Sequence, residues 1–207
     1  MNKKEWFCDV DNIVEWRHII TALLVLLAMT GQGQTSFDPN GGCLNVVDFS
    51  FGQGIGEYGN NCVSANYLHE VFINEQFCIG GGIGYSHHKE YRFSAIPVYL
   101  STHYFFLDKR FSPFANLRVG GFALFNAKNV GTNEKYSISK EKQSFSLFVS
   151  PSIGIKMHIT PNIGVLASVS DEAYLVNAFD TSRNDYRSKL IHSLGIYIGM
   201  CFQIKGW

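Results

Sequence analysis

The sequence of 207 residues lacks a net charge, because its 17 lysines and arginines are matched by 17 aspartates and glutamates. Nucleic-acid binding depends on a basic surface, so no nucleic-acid partner is indicated. The sequence also lacks the C-x-x-C spacing typical of zinc and redox sites, although it contains 5 cysteines. We therefore expect neither a metal site nor a cofactor.

A hydrophobic run long enough to form a transmembrane helix is missing too. The run Ile19–Met29 is shorter than the roughly 20 residues that span a bilayer. It follows basic residues such as Lys3 and Lys4 and precedes small residues, which is typical of a signal peptide. We expect residues 1–34 to form a signal peptide, cleaved at about residues 30–35, and residues 35–42 to form a short periplasmic N-terminal segment.

Glycine, phenylalanine and tyrosine are plentiful, with 20, 17 and 10 residues respectively. Many glycines and aromatics with few charges favour a β-rich fold. After the leader, apolar and polar residues alternate, which predicts β-strands. The alternating segments lie at about 44–55, 62–73, 76–86, 91–106, 113–127, 143–159, 162–175 and 189–204. Long and short connections alternate between them, as in an antiparallel up-and-down sheet.

The stretch Ser144–Thr160 shows how the two faces differ. Its odd positions from Phe145 to Ile159 are apolar, whereas its even positions are mostly small or polar. The polar face of a soluble barrel would carry many charges, but here it is rich in glycine and serine, which suit a narrow lumen. Residues 43–207 are therefore predicted to form an all-β fold, an eight-stranded antiparallel up-and-down transmembrane β-barrel. The prolines Pro97 and Pro151 interrupt two strands, and we expect a bulge at each.

Five charged residues lie on otherwise small or polar faces of different strands. Charges buried in a lumen are stable only when they are paired. We therefore predict an ion-pair network that fills and rigidifies the barrel, with two cations balancing three carboxylates. Its members are Arg118, Lys156, Asp48, Glu70 and Glu172.

Three segments resemble a family of small bacterial outer-membrane β-barrels, the Bacteroidetes-type "outer membrane protein β-barrel domain" proteins. They are GGGIGY at Gly80–Tyr85, IPVYLSTHYFF at Ile96–Phe106 and YIGMCFQI at Tyr197–Ile204. The resemblance covers about residues 43–207. It implies a location in the bacterial outer membrane, with outer-membrane lipid and the barrel assembly machinery as partners.

The last of these segments is similar to the signal by which such barrels are recognised for assembly. That pattern has a polar residue, a glycine two positions later, and then two apolar or aromatic residues at alternate positions. The residues that fill these positions are Tyr197, Gly199, Phe202 and Ile204.

No catalytic residues are predicted. His192 and Ser193 are adjacent in a strand and must point to opposite faces. His87 and His88 are expected in a tight outer loop that offers few further ligands. Barrels that deacylate lipid A carry a histidine and a serine two positions apart on one face with a following asparagine, and the sequence offers no match to that pattern.

The outer connections are the expected interaction surface. Two are long, at about residues 128–142 and 176–189, and the second carries a mixed-charge group suited to a weak extracellular partner of unknown identity. That group consists of Asp180, Arg183, Asp185 and Arg187.

These features predict an integral outer-membrane barrel with a side-chain-filled lumen and a structural or surface-interaction role. Three alternatives stay open at this point: a narrow pore or small-solute channel, a lipid-modifying outer-membrane enzyme, and a soluble secreted lipocalin-like barrel that binds an apolar ligand.

Overall fold

A computed structural model gives the architecture of most of the chain after the leader. The predicted signal peptide, residues 1–34, lies outside the described residues, and of the predicted periplasmic segment, residues 35–42, only Gly42 is described. Within the described part, no helix is long and apolar enough to cross a membrane. The structure describes residues 42–56, 59–89, 93–107, 109–125, 136–138, 146–180 and 185–204.

Nine strands make up the described structure. They are β1 (Cys43–Gly54), β2 (Cys62–Phe72), β3 (Phe77–His88), β4 (Phe93–Phe105), β5 (Phe111–Phe125), β6 (Tyr136–Ile138), β7 (Leu147–His158), β8 (Ile163–Asp180) and β9 (Asp185–Ile204). All pairings are antiparallel, and β9 pairs with β1, so eight strands close into a barrel while β6 adds to the edge of β8. The predicted fold is confirmed.

The register shows that the strands are tilted as in a closed barrel. Following paired residues from Asn45 around all eight barrel strands leads to His192 on β9. The carbonyl of His192 accepts a hydrogen bond from the backbone N–H of Ile55, 3.3 Å away. The path that starts at Asn45 therefore meets the chain again at Ile55, not at Asn45. This offset in register is the stagger that accompanies the tilt of strands against the axis of a barrel.

The last two strands are longer than predicted. β8 and β9 stay paired from Val176 and Lys189 to Asp180 and Asp185. The prediction of an outer loop over residues 176–189 was therefore wrong for most of that range, because backbone pairing continues where side-chain alternation fades. Asp180, Asp185 and Arg187 lie in these strands, and Arg183 lies outside the described residues. The short strand β6 was not predicted.

Side chains divide between the two faces as expected. Outward-facing apolar side chains form a belt around the barrel, and several are largely exposed: Phe51 by 64%, Leu100 by 70% and Ile153 by 70%. Inward-facing residues are buried and include all five charged residues of the predicted network. The apolar rows thus face the surroundings of the barrel, and the polar rows fill its lumen.

The two prolines interrupt the backbone pairing but do not change its register. Between β3 and β4 the pairing lapses at Pro97, and between β7 and β8 it lapses at Pro151. The register on both sides of each gap is the same, so no residue is inserted and the predicted bulges are absent. Proline lacks the N–H that a ladder hydrogen bond requires. At Pro151 the carbonyl instead accepts a hydrogen bond from the Ser170 hydroxyl, at 2.9 Å.

Candidate functional site

The middle of the lumen holds a buried ion pair that crosses the barrel. Arg118 on β5 and Asp48 on β1 are 5% and 3% exposed, and Arg118 Nη2 lies 2.5 Å from Asp48 Oδ2. The guanidinium also lies over two aromatic rings, 5.6 Å from the centroid of Tyr99 and 4.8 Å from that of Tyr197. Removing one partner of such a pair leaves an uncompensated charge in the interior, so each residue depends on the other.

A run of hydrogen bonds leads from Asp48 to a second carboxylate. Asn66 Nδ2 donates to Asp48 Oδ1 at 2.8 Å and lies 3.2 Å from Ser64 Oγ. The hydroxyls of Ser64 and Ser50 are 2.6 Å apart, and Ser50 donates to Glu172 Oε1 at 3.0 Å. These groups join β1, β2 and β8 through side chains, in addition to the backbone pairing of the wall.

Glu172 is surrounded by hydroxyl and thiol donors. Besides Ser50, it accepts hydrogen bonds from Tyr197 and from Tyr174, the latter at 3.1 Å, while the Cys62 thiol lies 3.7 Å away. We expected a cation to balance this carboxylate, whereas the structure brings tyrosine and serine hydroxyls to it. A buried carboxylate needs such donors because burial removes its hydration.

The third carboxylate pairs with a histidine. His103 Nδ1 lies 2.7 Å from Glu70 Oε2, and both residues are buried. Asn116 Nδ2 is 3.2 Å from the same ring nitrogen, and Arg118 Nε donates to Asn116 Oδ1 at 3.2 Å. Glu70, Asp48 and Glu172 are therefore linked through Arg118 in one lumenal chain of polar contacts. His103 was not among the residues predicted for the ion-pair network.

Lys156 lies at the same end of the lumen as the Glu70–His103 pair. Its Nζ is 3.7 Å from the ring centroid of Phe105, and that ring stacks on His103 at 5.6 Å. A buried ammonium over an aromatic face gains electrostatic stabilisation from the ring. His158, two residues along β7, is buried on the same face.

Little space is left between these side chains. The cavity at the level of Arg118 has a volume of about 10 Å³ and is bordered by Asp48, His103 and Tyr197, which is room for about one water molecule. Toward the end with the longer connections, Tyr174 contacts the rings of His88, Phe122 and Phe148, at centroid distances of 4.7–5.2 Å. At these levels the lumen is filled by the protein's own side chains.

The structure brings together Ser86 and His88, a buried serine–histidine pair that was not predicted. Ser86 Oγ lies 3.1 Å from His88 Nε2, because the two residues are two positions apart in β3, which extends into the predicted loop as far as His88. Both are fully buried, and among the described residues His88 Nδ1 has no hydrogen-bond partner. A catalytic base needs access to substrate and a group that orients its other nitrogen. In the part of the chain that the structure describes, the pair has neither.

The neighbouring residues His192 and Ser193 point to opposite faces, as expected. His192 Nδ1 lies 3.2 Å from Asp171 on the outer surface, where both side chains are partly exposed. The Ser193 hydroxyl is buried and donates to the backbone carbonyl of Asn60.

The four residues of the predicted assembly signal divide between the faces of β9. Tyr197 and Gly199 face the lumen, whereas Phe202 and Ile204 face outward. A Cβ added to Gly199 would lie 2.7 Å from the Cβ of Asp48, so only glycine fits beside the central ion pair. The role of these four residues of β9 in recognition for assembly stays a prediction.

Most of the described cysteines are small, buried side chains. Cys62, Cys78 and Cys201 are buried, Cys43 is partly exposed, and all four are free thiols. Among the described residues, no group of at least three histidine, cysteine, aspartate or glutamate side chains is placed to hold a metal ion.

Comparison with known proteins places the fold. No protein-family model matches the sequence, and no curated protein is similar to it. Neisserial surface protein A is similar in structure, with a TM-score of 0.53 and 15% identity over 77% of this chain and 96% of that one. The outer membrane enzyme PagL gives a TM-score of 0.52 and 14% identity over 74% of this chain and 97% of that one. The fold is therefore that of small outer-membrane β-barrels.

Proposed function

We propose that this protein is an integral outer-membrane β-barrel whose lumen is closed by its own side chains, with a structural or surface-interaction role. The observation that carries the proposal is the distribution of polar and apolar side chains, which is the reverse of that in a soluble protein. The outer surface is an apolar belt, while Asp48, Arg118 and Glu172 are buried inside. A sheet in lipid must also close, because lipid cannot satisfy unpaired backbone groups, and the barrel closes between β1 and β9.

This distribution favours membrane insertion over the soluble alternative. A lipocalin-like barrel would place its apolar row inside, around an apolar ligand. In this barrel Phe51, Leu100 and Ile153 are on the outside, and the interior is occupied by the lumenal chain of polar contacts. The longer connections, such as that between β5 and β7, would then face the cell exterior, and the short turns would face the periplasm.

Assignment to the Bacteroidetes-type family is also a proposal, supported by the sequence segments that resemble that family. It carries with it recognition by the barrel assembly machinery through Tyr197, Gly199, Phe202 and Ile204. The group Asp180, Arg183, Asp185 and Arg187 would contribute to a partner surface at the outer end of the β8–β9 hairpin.

Catalysis and transport are less well supported. PagL is described as an outer membrane enzyme, so this fold can carry activity. In this chain, however, the Ser86–His88 pair is fully buried, which supports a role without catalysis. The small cavity beside Arg118 likewise supports a closed lumen rather than a pore.

Membrane fractionation combined with heat-dependent gel mobility tests the proposal. We expect the protein in the outer-membrane fraction, extracted only by detergent, and migrating differently before and after boiling because the closed barrel resists the detergent. Recovery in the soluble fraction, or identical mobility before and after boiling, would contradict it.

A further inference from the structure

A polar cluster interrupts the outward faces of β3 and β4 at their outer ends. On β3, Tyr85 and His87 follow the exposed apolar residue Ile83, and on β4 the outward residue Ser94 precedes Ile96. Ser94 Oγ lies 2.9 Å from Tyr85 Oη and 3.1 Å from His87 Nδ1. The cluster therefore lies where the apolar belt gives way to the β3–β4 connection, at the end of the barrel that carries the longer connections.

The hydrogen bonds inside this cluster leave one donor unused. With a neutral imidazole, the three side chains carry three protons, and the two internal hydrogen bonds use two of them. If Ser94 donates to His87 Nδ1, the Nε2–H of His87 is left over. If His87 Nδ1 donates to Ser94 and Ser94 in turn donates to Tyr85, the hydroxyl proton of Tyr85 is left over. Both side chains are exposed, so either arrangement presents a donor to the surroundings.

Lys89, two residues after His87, carries a positive charge at the end of β3. Tyr85, His87 and Lys89 occupy every second position of the chain, and Lys89 is exposed like the other two. Its backbone N–H donates to the carbonyl of Asn61 at 2.9 Å, which fixes the chain at the end of β3. An ammonium group with neighbouring N–H and O–H donors is the chemistry that binds a phosphate oxygen.

A second polar pair on the outer surface offers a natural comparison. Asp171 and His192 also interrupt the outward rows of their strands, with His192 Nδ1 3.2 Å from the carboxylate. That pair includes a negative charge, which disfavours an anion. The β3–β4 cluster contains no carboxylate among Tyr85, His87, Lys89 and Ser94, so of the two groups it is the one suited to an anion.

We propose that Tyr85, His87, Lys89 and Ser94 form a site for the phosphate group of an outer-leaflet lipid headgroup. The inference rests on the proposed function, because membrane insertion is what brings headgroups to the rim of the apolar belt. The hydroxyls and the imidazole supply the donor, and Lys89 supplies the charge.

Native mass spectrometry of the chain folded in detergent micelles tests the site. The probes are lipid A that carries its phosphates, the same lipid after dephosphorylation, and inorganic phosphate alone. We expect the phosphorylated lipid to bind at least tenfold more tightly than the dephosphorylated lipid. The double variant His87→Gln/Lys89→Gln should lose about tenfold in affinity for it, the change expected when a charge-assisted hydrogen bond is lost.

Three controls make the result decisive. Lys89→Gln alone changes only an exposed turn residue and should lose part of the affinity, whereas His192→Gln should leave it unchanged. Equal binding of both lipids, an unaffected double variant, or an equal loss in His192→Gln would overturn the site. Binding of inorganic phosphate as tight as that of the lipid would also overturn it. Heat-dependent mobility of each sample reports barrel closure separately, so a folded barrel without phosphate preference refutes the site and not the membrane barrel.

Discussion

Replacing Arg118 with methionine tests the central ion pair most directly. The substitution removes the cation that lies 2.5 Å from Asp48 and leaves that carboxylate buried, with Asn66 still donating to it. Breaking one side of a buried pair costs about 3–5 kcal/mol. With a urea dependence of about 1–3 kcal/mol per molar, the unfolding midpoint should fall by at least about 1 M.

The assay is urea unfolding of the barrel in detergent, followed by heat-dependent gel mobility. Arg110→Met is the matched control, because Arg110 is exposed in the turn between β4 and β5 and should lose nothing measurable. The double variant Asp48→Asn/Arg118→Met should be more stable than Arg118→Met alone, because it removes the unpaired charge. A midpoint for Arg118→Met equal to that of Arg110→Met would refute the reasoning.

Two further predictions concern the lumen. Gly199→Ala should reduce the fraction that refolds into a closed barrel, because the new Cβ would lie 2.7 Å from the Val47 carbonyl oxygen and from Asp48 Cβ. Gly195→Ala on the same face should refold like the wild type, since its nearest contact would be 3.5 Å; equal yields would argue against close packing at Gly199. In planar bilayers the wild-type protein should give no steady ion conductance, because side chains fill the lumen, and a stable single-channel current would instead support a pore.

The strand pattern could be predicted from the sequence because each face has its own chemistry. The alternation around Ile153 and Gly154 places an apolar row against a small-residue row, and this is the arrangement observed. Where the contrast fades, as beyond Val176 in β8, alternation alone does not predict a longer strand. The three-residue strand β6 is too short to show a period at all.

The lumenal contacts could be predicted only in part. The alternation of inward and outward positions along each strand placed Asp48 and Arg118 in the lumen. Their contact depends on the stagger of all eight strands, and the sequence of one strand does not contain that information. The partners of Glu172 show the same limit. Tyr197 was predicted only as part of the assembly signal and Tyr174 was given no role, although a tyrosine hydroxyl can donate a hydrogen bond to a buried carboxylate.

The pairing of β1 with β9 also bears on how the barrel assembles. This pair joins the two ends of the barrel sequence, from Cys43 opposite Ile204 to Gly54 opposite Ser193, and such long-range pairing is slow to form. A slip of one residue in this seam would turn the inward row of one strand toward lipid, exposing either Asp48 or Tyr197. The Asp48–Arg118 contact exists only in the observed register, so the ion pair can form only when the seam closes correctly.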